Sequence, residues 1–188
     1  MDLPCLMLAS FVTSASWELP FLRNHSGFAK TLFGNWQING IANFSSATPF
    51  NVYDSVDVAQ QGSAPEITGF SANRPNLIGD PNRGPKTPER WFNVDAFQRL
   101  DPVANGGQFG NAGRNVVHGP GFGVVDLSLL KNFKILESTQ IQFRFECFNV
   151  ANHANFFLPE NDIGSSNFGR ILQAGPPRLL QFALKLLF

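Results

Sequence analysis

The sequence predicts an all-β chain, an antiparallel meander of about seven strands belonging to an incomplete barrel. Three observations predict it. First, in Pro177–Phe188 the residues Leu180, Phe182, Leu184, Leu186 and Phe188 fall on every second position, with Gln181, Ala183, Lys185 and Leu187 between them. A period of two puts the two sets on opposite faces of a strand. Second, Gln140–Val150 alternates most clearly, with Ile141, Phe143, Phe145 and Cys147 opposing Gln142, Arg144 and Glu146. Third, charged residues make up only 15% of the chain, below the roughly one quarter of soluble proteins. In water, an apolar strand ending on an aromatic residue is an edge open to aggregation. In an outer-membrane barrel, lipid covers the outward face and a neighbouring strand closes the edge. No run approaches the ~18–20 apolar residues of a spanning helix.

Residues 5–19 read as a first strand, with Phe11, Thr13 and Trp17 opposing Ser10, Ser14 and Ser16. Leu19-Pro20-Phe21 ends it, and Arg23-Asn24-His25-Ser26-Gly27 has turn chemistry, with His25 a solvated loop residue. Residues 34–53 form a second strand in which Trp36, Ile38, Gly40, Ala42 and Phe44 alternate with Gln37, Asn39, Ile41, Asn43 and Ser45. Amide side chains on the second face suit a water-filled interior. Trp36 at one end, and Phe50 with Tyr53 at the other, suit aromatic girdles at two membrane interfaces.

Residues 54–106 are rich in Gly, Pro and Asn and read as one long loop. Its carboxylates Asp57, Glu66 and Asp80 are too scattered for a calcium site. A short strand near 115–118 precedes a Gly119-Pro120-Gly121 turn. Residues 122–135 form a strand with Val125, Leu127, Leu129 and Phe133 on the apolar face. Lys131 shares that face, which is acceptable only near an interface where its stem can snorkel. After 140–150, His153 sits among three Asn residues and reads as a turn-capping residue rather than a metal ligand. Phe168–Ala174 is a short strand, and Gly175-Pro176-Pro177 turns the chain into the last one. Cys5 and Cys147 read as two buried thiols rather than a disulfide.

Net charge is zero, which gives no reason to expect nucleic acid or an acidic partner. There is no phosphate-cradling glycine loop, no metal-spaced His or Cys set, and no triad spacing. The glycines of Gly119–Gly123 precede an alternating strand rather than a helix, so a dinucleotide reading fails on context. The chain is therefore expected not to be an enzyme and to need no cofactor.

Gly34-Asn35-Trp36-Gln37-Ile38-Asn39-Gly40-Ile41 followed by Thr48-Pro49-Phe50 resembles the late barrel of TonB-dependent outer-membrane receptors. The resemblance is closest to the Oar-like group with a carboxypeptidase-regulatory-like domain. Gly113-Arg114-Asn115, Asp126-Leu127-Ser128-Leu129, Lys131-Asn132-Phe133, Gln142-Phe143-Arg144, Phe148-Asn149, Phe168-Gly169-Arg170-Ile171 and Pro177-Arg178 continue it in order. The resemblance implies that residues 1–188 are the C-terminal portion of a receptor barrel of about 22 strands. Such a receptor takes up a bulky nutrient across the outer membrane of a Gram-negative bacterium. Leu180, Phe182, Leu184, Leu186 and Phe188 would be read by the barrel-assembly machinery, and lipid would cover the apolar face. If Phe188 ends on the periplasmic side, 54–106 is an extracellular loop and the Gly119 turn is periplasmic. Arg74, Arg83, Arg90, Trp91 and Phe92 are the candidate ligand contacts in that loop. TonB would be reached only through an N-terminal region with signal peptide, coupling box, plug and early strands, which this sequence lacks. Seven strands cannot close a barrel of even ~8, so a fragment not functional alone is expected. The alternative is a stand-alone outer-membrane or surface β-protein with a structural or adhesive role.

Overall fold

The structure, a computed structural model, describes residues 9–21, 27–60, 73–136 and 138–188. Cys5, His25 and Glu66, and the expectations attached to them, lie outside the described residues. In chain order the elements are β1 (Ser10–Glu18), α1 (Phe28–Phe33), β2 (Trp36–Ser45), β3 (Pro49–Phe50), β4 (Asn76–Leu77), β5 (Phe97–Gln98), β6 (Val117–His118), β7 (Phe122–Lys134), β8 (Gln140–Phe148) and β9 (Leu179–Leu187). Among the described residues the fold is all-β with one short α-helix, as the alternation predicts.

Five strands form one open antiparallel sheet in the order β1-β2-β7-β8-β9. Their lengths are 9, 10, 13, 9 and 9 residues, close to the ~9–11 that a tilted strand needs to cross a bilayer. The register turns each strand's period into sheet-wide rows. Trp17, Ile38, Leu129, Phe145 and Phe182 lie side by side across all five strands. The next row is Ser16, Asn39, Ser128, Glu146 and Gln181. One face of the sheet is therefore apolar and the other mostly polar. Phe11, Trp17, Leu127, Leu180, Phe182 and Leu184 on the apolar face are all exposed. Among the described residues, β1 pairs only with β2 and β9 only with β8, so both outer edges are open.

The chain divides into two compact units. The wall unit holds the five-stranded sheet and α1. The loop unit combines residues 46–121 with 156–174. These two segments are the β2–β7 and β8–β9 connections, which share one core of Phe50, Val52, Phe92, Ala96, Phe97, Ala112, Val116 and Val117. Four edge-to-face ring pairs among Phe50, Phe92, Phe97 and Phe168 organise it, with centroids 5.1–6.1 Å apart. Such pairs are worth ~0.5–1.5 kcal/mol each beyond burial.

Several expectations are corrected here. Among the described residues the main sheet has five strands, not seven. Val117–His118 pairs with Pro49–Phe50 instead of joining that sheet. Val116 and Val117 are both buried, which a two-faced membrane strand does not allow. Residues 168–174 form no strand, only a bridge between Phe156 and Ala174. Gly169 at φ 83 breaks the extended run, and local turns from Asp162 to Arg170 take up the backbone donors. Residues 46–53 leave the second strand, so Phe50 is a core residue and Tyr53 bridges Asp162. Neither forms a girdle on the wall. The Gly119 turn belongs to the same β2–β7 connection as 54–106, so strand parity no longer assigns the two to opposite sides of a membrane.

Candidate functional site

The polar face of the wall carries a ladder of side-chain hydrogen bonds that crosses strands. Gln37 Nε2 donates to Ser16 Oγ and Asn39 Oδ1, both at 2.9 Å, and Asn39 Nδ2 donates to Ser128 Oγ at 3.3 Å. Gln142 Nε2 donates to Asn132 Oδ1 at 3.0 Å. Arg144 Nη2 donates to Glu146 Oε1 at 2.7 Å, so the two charges anticipated on one face do meet. Asp126 Oδ1 accepts from the Asn149 backbone N–H at 2.8 Å and ties the end of β8 to β7. Chemically this face can hydrate and hydrogen-bond a solute. Among its described residues it holds no nucleophile hydrogen-bonded to a base.

Lys131 breaks the apolar face, and its surroundings explain how it is tolerated. It lies opposite Trp36 at the end of β2. Only 2% of it is exposed, and its Nζ donates to the Gly34 carbonyl. The ammonium also sits 5.8 Å from the Trp36 ring centroid and 5.3 Å from that of Phe133. A carbonyl and two π-faces replace water at the edge of the sheet. At the same end, a cleft of about 430 Å³ opens between α1 and the sheet, lined by Glu18, Lys30, Thr31, Gln37, Lys134 and Gln140 among others.

The proposed assembly residues Leu180, Phe182, Leu184 and Leu186 share the apolar face of β9, and Phe188 follows the strand with 97% exposure. The Phe182 ring packs tilted against that of Phe145, with centroids 4.9 Å apart. Cys147, a free thiol opposite Leu180, is half-buried on this face.

The candidate ligand contacts are not brought together. Phe92 is the centre of the loop unit's core with no exposed surface, so its reading as a ligand contact is corrected. Trp91 packs at the edge of that core, its Nε1–H bonded to the His118 carbonyl at 2.9 Å and Lys86 5.5 Å over its ring. Arg74 Nη1 donates to the Ala112 carbonyl at 3.3 Å, an architectural role. The backbone there packs so closely that a Cβ on Gly110 would collide with the Arg74 carbonyl. Arg83 pairs with Asp80 at 3.4 Å on the surface, and Arg90 pairs with Asp95. Of the set, only Arg83 and Arg90 are well exposed. Among the described residues no group of carboxylate, His or Cys side chains could hold a metal.

Sequence reasoning missed the polar struts of this unit. Arg99 grips Asp54 with two bonds of 2.7 and 2.8 Å, and only 3% of the Asp54 side chain is exposed. This hydrogen bond is the main reason the guanidinium is held above its ordinary value. Asn82 spans the chain, donating to the Val116 carbonyl and accepting from the His118 N–H, both at 2.9 Å. Asp162 Oδ1 accepts from the backbone of Ser55 at 3.1 Å and of Gly164 at 2.9 Å. Burial, then the carboxylates of Asp162 and Glu160, push the Tyr53 phenol above its ordinary value. Burial lowers Lys86. The density of Asn and Asp between 51 and 162 was the available signal, but their partners lie up to 110 positions apart in sequence. At the end of β8, Asn149 Oδ1 and Nδ2 bracket the backbone of His153, so the turn there is capped by the asparagine and not by the imidazole.

A family model described as an outer membrane beta barrel domain matches residues 8–181, nearly the whole chain. Comparison with curated proteins gave no match, and comparison with solved structures gave none. The matched stretch holds β1, β2, β7 and β8 in full and reaches the start of β9. Strands with one apolar and one mostly polar face are what the wall of such a domain requires. The chain belongs to the outer membrane beta barrel domain family.

Proposed function

We propose that the chain is the C-terminal wall segment of a TonB-dependent receptor in a Gram-negative outer membrane, serving active uptake of a bulky nutrient. The observation that carries this reading is the ordered series of receptor-like motifs, several of which fall on the wall strands. Trp36–Ile41 lies in β2, Asp126–Phe133 in β7 and Gln142–Arg144 in β8. Among the described residues, five strands with two open edges cannot enclose a pore. The wall then needs further strands, which in a receptor of this kind come from the same polypeptide. A connection long enough to fold into its own aromatic core supports a role in capturing substrate, through surface residues such as Arg83 and Arg90 rather than through Phe92. Partners under this reading are outer-membrane lipid, the assembly machinery at β9 and Phe188, and the nutrient. TonB is engaged elsewhere in the receptor. Sequencing the genomic DNA upstream of the Met1 codon tests it. An open frame encoding signal peptide, plug and further alternating strands is expected. A stop codon and ribosome-binding site with no receptor-like coding upstream would overturn it in favour of a stand-alone surface β-protein.

A further inference from the structure

The helix α1 is too short to be stable by itself, and it lies in a connection where a membrane strand needs only a tight turn. At about 100° per residue, Phe28, Leu32 and Phe33 fall within one arc of the helix, and Lys30 and Thr31 fall on the other side. The structure agrees with that division. Lys30 and Thr31 line the polar cleft at the end of the sheet. Phe28 is 81% exposed and Phe33 61%, with Leu32 also exposed. The Trp36 indole N–H donates to the Leu32 carbonyl at 3.2 Å, tying the helix to the apolar face of β2. The apolar arc is thus continuous with the lipid-facing side of the wall, where Trp17 is exposed near the same end. Ile135 and Leu136, in the β7–β8 turn at that end, are exposed as well.

We propose that α1 is an interfacial anchor. It lies in the headgroup layer of the adjoining phospholipid leaflet, with Phe28, Leu32 and Phe33 entering the acyl boundary and Lys30 facing the polar side. The occupant of this surface is lipid because the arc continues a face that the barrel family already places in lipid. An amphipathic helix with aromatic residues on its apolar side is suited to that boundary, and Trp and Lys at the strand ends mark its level. The inference rests on membership of the barrel family and not on nutrient uptake.

The test uses the full chain, with Cys5 and Cys147 replaced by Ala, assembled in vesicles of phosphatidylethanolamine and phosphatidylglycerol. Single nitroxides are placed at Phe28→Cys, Thr31→Cys, Phe33→Cys, Leu127→Cys and Val103→Cys. Collision rates with oxygen and with a water-soluble nickel chelate are then compared. Positions 28 and 33 are expected to favour oxygen several-fold over the chelate, as Leu127→Cys does, while position 31 and the 94%-exposed Val103 favour the chelate. If 28 and 33 match Val103→Cys while Leu127→Cys stays in lipid, the anchor is wrong and the barrel stands. Low collision with both reagents at 28 and 33 would assign the surface to a protein partner and also overturn the anchor. If Leu127→Cys itself favours the chelate, the membrane placement of the wall fails instead. The nitroxide positions are all exposed side chains, so loss of folding at them does not confound the outcome.

Discussion

At the centre of the loop unit's core, Phe92 has no exposed surface. Phe92 sits in a Trp91-Phe92-Asn93 cluster that looks like a ligand contact in a Gly- and Pro-rich loop. Its ring instead meets Phe50, Phe97 and Phe168, residues 42 positions upstream and 76 downstream at the extremes. Alternation cannot report that kind of contact, because an irregular chain has no period. Phe92→Ala is expected to cost about 3–5 kcal/mol. The result would be rapid proteolysis of the loop unit, whereas Arg83→Ala leaves its protease resistance unchanged. Equal resistance of Phe92→Ala and the parent would contradict the core assignment. Tyr53 offers a second test, since it is the single tyrosine of the chain. Its folded pKa lies above the ordinary 10.0. The protonated phenol therefore contributes stability that is complete below about pH 10 and is lost as pH rises through the folded value. Phenolate absorbance should titrate above 10.0 in the folded protein and at the ordinary value after unfolding. Tyr53→Phe should remove this part of the alkaline loss of stability.

At the scale of elements, the last three long strands were legible, while β2 was read eight residues past its end. The short strand near 115–118 was legible but not its pairing with Pro49–Phe50, and 168–174 forms no strand. β7, β8 and β9 lie within one or two residues of the ranges their alternation predicts, because one face is apolar and the other mostly polar along their whole length. Residues 115–118 and 168–174 carry β-prone residues, but in the loop unit both faces meet protein. Turn chemistry and core packing decide the conformation there. Helix α1 escaped because six residues give little more than one turn of period. Lys131 was legible as an interfacial residue from its place in β7, although the carbonyl and rings that receive it were not. The two-faced strand makes a sharp energetic prediction. Leu127→Arg, in the middle of the apolar face, should cost about 2–4 kcal/mol in denaturant unfolding from lipid vesicles. Ser128→Arg, one residue on, should cost far less. Similar costs for the two would mean that the faces are not distinguished by lipid. At β9, under the proposed receptor reading, deleting Phe188 in the complete barrel should reduce outer-membrane assembly. Undiminished assembly would remove the role proposed for the last strand.

For the molecule as a whole, one chain holds two kinds of architecture. The wall is specified by a simple repeating pattern, and its apolar side is exposed rather than packed on a core of its own. The loop unit instead builds a core from aromatic rings, with buried Asn73 and the Asp54–Arg99 pair beside them. Its two segments are separated in sequence by two full strands and their turn, so their association was beyond the reach of local reading. The central claim is that the sheet divides lipid from water. It is tested most directly by a cysteine scan of Val124–Phe133 in β7 with a membrane-impermeant thiol reagent, in the assembled protein with its native cysteines replaced. β7 has neighbours on both sides, so edge effects do not enter. Labelling at 124, 126, 128, 130 and 132 with protection at 125, 127, 129, 131 and 133 is the predicted result. Uniform labelling, or protection in the opposite phase, would contradict it.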